Sequence, residues 1–269
     1  MQNLTDPDYL KSQQYRNSSN LNARAELHRR FSTSQLDWNQ WVFDQFDLAD
    51  QAHILELGAG PGWLWQENVG RIPPGWQVTL SDLSEGMVAE QRQRLAGASD
   101  RFTHRVIDAQ DIPFEDETFD AVIANHMLYH VPDLDAALAE IQRVLKPDGK
   151  LYAATNGRDH LKEISDFIVE LVPNPPARKD LVFHKRFRLE DAPELLRRFF
   201  DRVETLEVGT PLAVTEAQPL VDYLCSGLIR EACSDELQDK MRQHFQQLID
   251  RDGAIHITRS TGLLVAERG

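Results

Sequence analysis

A chain of 269 residues with 41% hydrophobic and 27% charged side chains is composed like a soluble globular protein, with material for one large core or two modest ones. Its formal net charge of −14 argues against DNA, RNA and acidic membranes as partners, because phosphate recognition depends on Lys and Arg. No apolar run approaches the roughly eighteen residues that cross a bilayer, so a membrane span is excluded as well.

The N-terminus, MQNLTDPDYLKSQQYRNSSN, is polar and lacks the basic start and apolar stretch of a secretory signal. Residues 1–50 read as helical, with Trp38, Trp41, Val42 and Phe46 close to one stripe. From residue 53 apolar runs alternate with amphipathic stretches. HILEL (53–57), QVTLS (77–81), FTHRVI (102–107), FDAVIA (119–124) and KLYAAT (150–155) read as strands, and most are short continuous apolar runs, the pattern of strands covered on both faces. Ser84 is placed to cap a helix running to about Leu95, with Gly97 just past its end. A second helix from Leu134 to Leu145 puts Leu134, Ala137, Leu138, Ile141 and Leu145 on one face. Strand and helix in repeated alternation predict a parallel sheet with helices on both sides.

Residues 156–250 read as mostly helical, interrupted by ARKDLVFHKRF and by a strand at RVETLEV. Thr215 with Gln218 matches a capping box, and the helix after Ser234 carries Leu237, Met241, Phe245 and Leu248. GLLVAE supplies a last strand. The expected division is an N-terminal helical cap (1–50), a ligand-binding core (51–156), and an insert with the last two strands (157–269) covering the sheet's C-terminal edge. Two cysteines, Cys225 and Cys233, offer neither a disulfide framework nor a CxxC metal pair, which fits a reducing cytoplasm.

The chemistry concentrates at strand ends. In ILELGAGPG (54–62) a buried strand runs into Gly58, Gly60 and Gly62, and a helix begins near Trp63. Glycines there permit a sharp turn and close approach of backbone to ligand. A dinucleotide pattern starting at Gly58 would need glycine at 63, where this chain has Trp63. Glu56 beside the turn suits a cation better than a pyrophosphate, and S-adenosylmethionine carries a sulfonium and an ammonium group. Asp82, followed by Leu83 at the end of the second strand, can accept hydrogen bonds from both hydroxyls of a ribose. Asp108 after the third strand can accept from an adenine amino group, with the Ala109 N–H addressing a ring nitrogen. Ligands of such sheets bind outside the carboxyl ends of the strands, where Glu56, Asp82 and Asp108 would converge.

Taken in order, ELGAGPG, SDLS, DAQDIPFEDETFDAVIANHMLYHV and AEIQRVLKPDGKLYAAT resemble the class I S-adenosylmethionine-dependent methyltransferase family over about residues 52–156. That resemblance implies a Rossmann-like α/β fold: a seven-stranded, mostly parallel sheet with helices on both faces and an antiparallel last strand. The last strand maps to Gly262–Glu267 and strand six to Val203–Val208. It also implies that the loop Gly58, Ala59, Gly60 and Gly62 holds the methionine part, Asp82 the ribose and Asp108 the adenine, with Asn125 at the amino-acid end. The stretch YRNSSNLNARAELHRRF resembles segments that close over the cofactor in small-molecule members, which makes Tyr15 and Arg24 candidates. Trp63 and Trp65, bulkier than is usual there, either line the cofactor pocket or pack the first helix on the sheet, and packing is the favoured reading.

Methyl transfer requires a base only when the acceptor holds a proton it must lose. His126 and His130, in NHMLYH with Tyr129, are the catalytic candidates. Their i, i+4 spacing could bind metal on a helix, but no HExxH pattern and no third ligand accompany it, so no metal is expected. His53, His104, His160 and His256 read as packing or surface residues. Phe183, Phe187, Tyr223 and Leu224 hint at a partly apolar acceptor. The expected function is methyl transfer to oxygen or nitrogen of a small molecule. The alternatives are an NAD(P)-dependent oxidoreductase and a non-catalytic S-adenosylmethionine-binding protein. Oligomeric state stays open.

Overall fold

The computed structural model describes residues 5–177, 181, 183–227 and 229–269. Short α1 (Pro7–Tyr9) is followed by α2 (Ser19–Phe31) and α3 (Trp38–Asp44). Then come β1 (Gln51–Glu56), α4 (Trp63–Asn68), β2 (Gly75–Asp82), α5 (Glu85–Arg94), β3 (Phe102–Val106), β4 (Phe119–Asn125), α6 (Leu134–Val144) and β5 (Leu145–Asn156). The rest runs α7 (Lys162–Leu171), α8 (Ala192–Leu196), β6 (Arg202–Val208), β7 (Leu212–Val214), α9 (Ala217–Cys225), α10 (Asp235–Asp252), β8 (Ile255–Ile257) and β9 (Thr261–Glu267).

One seven-stranded sheet has the order β3-β2-β1-β4-β5-β9-β6. The first five strands pair in parallel, and β9 runs antiparallel between β5 and β6. The expected sixth and last strands therefore take their places, and the strand order reverses between β1 and β4. Such a reversal opens a crevice at the carboxyl ends, where a ligand fits.

The pleat explains why these strands read as continuous apolar runs. Successive side chains point to opposite faces. Leu55, Val122, Ala124, Leu151 and Ala153 pack on one face with Leu138 and Ile141 of α6 and Leu196 of α8. Their neighbours Ile54, Ala121, Ile123, Tyr152 and Ala154 pack on the other with Val42 of α3 and Leu64 and Trp65 of α4. Both faces are buried, so both parities must be apolar.

A third cluster lies apart from the sheet. It gathers Leu27 and Phe31 of α2, Ile164 and Ile168 of α7, Leu220 and Val221 of α9, and Met241 and Phe245 of α10. The N-terminal stretch is thus split, α2 joining this cap while α3 packs on the sheet. The cap also holds a feature absent from the sequence reading. β7 and β8 form a separate antiparallel ribbon, with Leu212, Val214, Ile255 and Ile257 turned into the cluster.

Helix caps divide as their neighbours dictate. Ser84 accepts from the Met87 N–H, as expected, and Ser234 caps α10 in the same way by accepting from the Leu237 N–H. The Thr215–Gln218 box does not form: α9 starts after Glu216 with no side-chain cap, and the Gln218 amide oxygen accepts from Arg242 Nε at 2.6 Å instead. Cys225 and Cys233 are joined as a disulfide with Cα atoms 5.7 Å apart, so the pair does bridge. Among the described residues no helix is long and apolar enough to cross a membrane. Of ARKDLVFHKRF, residues 178–180 and 182 lie outside the described residues, as does the Phe183 side chain.

Candidate active site

β1 ends at Glu56, and the chain turns through Gly58, Gly60 and Gly62 at φ 62°, 55° and 82°. These are left-handed values that a side chain resists. At Gly58 space is decisive as well, since a Cβ would lie 2.7 Å from Cβ of Met127. The loop is tied to the next strand by the Ala59 N–H, which donates to the Ser81 carbonyl at 2.8 Å.

Asp82 finishes that attachment. Its Oδ2 accepts from the Gly60 N–H at 3.0 Å and its Oδ1 from the Ser84 N–H at 2.9 Å. Ser84 does the helix capping, which leaves Asp82 to hold the glycine loop against the end of β2. Burial pushes the Asp82 carboxyl up to about 6 despite the backbone N–H groups of Ser84, Gly60 and Leu83, which favour its charge. Glu56 is 2% exposed, and burial pushes it further, to about 8. The Trp65 indole N–H donates to Glu56 Oε2 at 2.6 Å, and the Asn125 side chain also hydrogen-bonds this carboxyl. Both bonds favour the charged form, and the nearby Asp82 opposes it.

These groups face a cavity of about 940 Å³. Small-molecule sites run from about 300 to 1,000 Å³, so this one has room for a cofactor and a modest acceptor together. Glu56, Gly58, Ala59, Gly60, Asp82, Leu83, Asp108, Ala109 and Asn125 line it, as do His126, His130, Tyr15 and Arg24. Gly62 does not. It is the N-cap of α4, and a Cβ there would meet Leu95 at 3.4 Å, so its role is the turn. Asp108 Oδ1 accepts from the Gln110 N–H at 2.9 Å, a local turn that leaves the carboxylate on the cavity wall. The two tryptophans part company: Trp65 is fully buried in the sheet-side core, whereas Trp63 lines the cavity.

The N-terminal segment closes over this cavity. The Ser18 N–H donates to Glu90 of α5 at 3.0 Å, and a Cβ on Gly86 would strike the Arg16 carbonyl. Pinned in this way, Tyr15 reaches across the site. Its hydroxyl stands 2.9 Å from His130 Nε2, and Arg24 hydrogen-bonds the same phenol. Burial pushes the Tyr15 phenol above its usual range while Arg24 pulls it down. His130 is 9% exposed and edges onto Tyr129 at 4.6 Å. His126 and His130 do not share a helix. His126 has a left-handed φ of 55° and Leu128–His130 is a single 3₁₀ turn, so the helical metal spacing is not realised. The His126 ring lies against Trp38, with centroids 5.3 Å apart.

The far end of the cavity holds residues the sequence reading did not assign. His28 lies one turn along α2 from Arg24. His160, read as packing or surface, instead lines the cavity, stacks on His28 at 6.1 Å and accepts from the Ser260 N–H at Nδ1. Arg259 enters from the turn between β8 and β9. The i, i+4 pair Arg24 and His28 was the available signal for this face. Arg259 had none. Of the aromatic and apolar residues thought to shape an acceptor pocket, Tyr223 lines the cavity, whereas Phe187 is buried against the sheet and Leu224 in the cap cluster.

A family described as "Methyltransferase domain" matches residues 55–153. The ubiquinone/menaquinone biosynthesis C-methyltransferase of Saccharophagus degradans is 33% identical over 116 residues, 42% of this chain and 47% of that one. The sterol 4-C-methyltransferase of Caenorhabditis elegans is 34% identical over 109 residues, 40% of this chain and 32% of that one. Residues 55–153 form a class I, S-adenosylmethionine-dependent methyltransferase domain. The chain spans about half the length or less of these curated relatives. In fold, the phosphoethanolamine N-methyltransferase 2 of Haemonchus contortus in complex with S-adenosyl-L-methionine superposes with a TM-score of 0.61. It is 20% identical, and the match covers 97% of this chain and 59% of that one. The methyltransferase domain thus coincides with β1 to β5, and the cap lies outside the family match.

Proposed function

We propose that this chain binds S-adenosylmethionine at the glycine loop and transfers its methyl group to a small-molecule acceptor held under the cap. The observation that carries the reading is the convergence of Glu56, Asp82 and Asp108, from the ends of three successive strands, on one cavity faced by Tyr15 and His130. The residues fit the cofactor. Asn125 Oδ1 is buried without a hydrogen bond among the described residues, an acceptor awaiting an N–H donor at the amino-acid end. Glu56 and Asp82 suit the cationic portion and the ribose, and Asp108 suits the adenine amino group.

The sulfonium supplies an activated methyl and departs as a neutral thioether, so the protein's work is placement and exclusion of water. The N-terminal segment and the cap cover the acceptor. The Tyr15 hydroxyl passes its proton to His130 Nε2 across their hydrogen bond and takes the acceptor proton in its place, so that the phenol relays and the imidazole is the base. His126, lining the same wall, is the other candidate base. This relay supports an acceptor oxygen or nitrogen that carries a proton. Transfer to an acidic carbon would use the same base, and the C-methyltransferase names of two relatives favour that second reading. The setting proposed is the cytoplasm; the Cys225–Cys233 disulfide counts against it, because a cytosolic thiol pool reduces such bonds.

The test is calorimetric titration with S-adenosylmethionine and S-adenosylhomocysteine against NADH and NADPH, followed by transfer of labelled methyl to candidate acceptors. Micromolar binding of the adenosyl ligands alone is expected. A nicotinamide signal without them would replace this reading with the oxidoreductase. Binding without turnover on any acceptor would leave the non-catalytic module.

A further inference from the structure

The cavity is electrically divided. Its strand-end wall carries Glu56, Asp82 and Asp108, while α2 and the β8–β9 turn bring in Arg24 and Arg259; Arg29 also lines the cavity but is already paired with Glu26 at 2.8 Å. Arg24 donates to the Ser226 carbonyl at 3.2 Å and hydrogen-bonds the Tyr15 phenol. Arg259 makes no side-chain hydrogen bond and no ion pair among the described residues, although it is largely withdrawn from water, enough to weaken its hold on its proton. No carboxylate among the described residues pairs with either arginine.

That arrangement is unusual on general grounds. Removing a guanidinium from water costs free energy that an opposite charge must offset, and an arginine left without one waits for a charge from outside the chain. Overall charge sharpens the point: a protein of net charge −14 has acidic side chains in excess, yet none meets these two. His28 links the two arginines. It lies one turn from Arg24 on α2, and the charge of Arg259 helps keep its imidazole neutral, with a value near 3 set mainly by burial. Tyr223 closes the side, its ring edge-on to His28 at 6.3 Å.

Given the methyltransferase reading above, we propose that Arg24 and Arg259 form a subsite for an oxyanion of the acceptor, a carboxylate or a phosphate. The anion anchors the far end of the acceptor, and the atom to be methylated points back toward His130 and the glycine loop. Guanidinium forks bind such groups with two parallel hydrogen bonds, which fixes direction as well as position. The subsite gives a role to the two cavity arginines that no carboxylate among the described residues pairs, both of which come from outside the family match.

The experiment measures binding of two anions, 4-hydroxybenzoate and phenyl phosphate, beside their neutral counterparts 4-hydroxybenzamide and benzyl alcohol. Each is titrated into the free protein and into protein saturated with S-adenosylhomocysteine. At least one anion is expected to bind about ten-fold or more tightly than its neutral counterpart. The two arms separate carboxylate from phosphate. R259Q should shrink the preference to within about two-fold, and R259K should restore part of it, which distinguishes lost charge from lost folding. Equal binding of anion and neutral counterpart, no saturable binding of either anion up to about 10 mM, or an undiminished preference in folded R259Q overturns the subsite. Failure of S-adenosylhomocysteine to bind while the anion preference persists would overturn the methyltransferase reading and leave the subsite standing.

Discussion

The two walls of the cavity are built by different means. The strand-end wall draws Glu56, Asp82 and Asp108 from less than a quarter of the chain, and backbone N–H groups fix Asp82 in place. The cap wall draws Arg24 from α2, Tyr223 from α9 and Arg259 from the β8–β9 turn, side chains far apart in sequence that rest on a separate apolar cluster. One wall is set by local topology and the other by long-range packing. A fold can keep the first while the second varies, and that is how one scaffold serves many acceptors.

The sharpest way to break this contrast is to remove the relay between the walls. His130→Asn should lower the turnover rate by about two to four orders of magnitude if the acceptor must lose a proton. Affinity for S-adenosylhomocysteine should stay nearly unchanged. Single-turnover kinetics beside calorimetry tells the two apart, and a joint loss would place His130 in the cofactor wall. Next in size is Phe245→Ala, which empties the centre of the cap cluster and should cost about 3–5 kcal/mol of stability in urea unfolding. The folded fraction should still bind S-adenosylhomocysteine within about two-fold. If cofactor affinity falls in step, the two walls are not independent.

Asp82→Ala addresses the other wall. It should cost about 1.5–3 kcal/mol of cofactor affinity, roughly ten- to a hundred-fold. A folded variant that binds normally would remove Asp82 from the site.

The smallest effect is in pH. Glu56 and Asp82 have folded values raised to about 8 and about 6, so the folded chain holds their protons more tightly than the unfolded one. Their contribution to stability is complete below the unfolded carboxylate range and declines as pH rises through about 6 and then 8. A cationic ligand prefers the ionised carboxyls, so S-adenosylmethionine affinity should rise over the same window, by no more than about ten-fold per pH unit for each proton released. Calorimetry at pH 7 in buffers of different ionisation enthalpy should show proton release on binding. Proton uptake would reverse the assignment.

The sequence was informative where the determinants are local. ELGAGPG announces its turn because glycine takes those dihedrals at the least cost, and Ser84 and Ser234 announce their helices because a cap acts within three residues. The sheet was legible because both of its faces are buried. Where pairing is long-range, the signal fades. β7 and β8 are three-residue strands on either side of α9 and α10, too short to show a period. The Thr215–Gln218 pattern failed because Arg242 of α10, far along the chain, donates to the Gln218 amide oxygen that the box would need. Arg259 is an unremarkable loop arginine until the fold brings it opposite α2, and His160 is a lone histidine until it meets His28.

The bond between Trp65 and Glu56 gives the protein a built-in optical gauge. An indole whose N–H rests on a carboxyl experiences a different field when that carboxyl gains or loses its charge, and its emission follows. Trp76, whose N–H meets the Ala49 carbonyl, sits in the same core without a titrating partner and supplies the reference signal. Trp38 and Trp63 line the cavity and would answer the ligand too, so occupancy of the glycine loop is read from Trp65 once those two are replaced by phenylalanine, with no label attached.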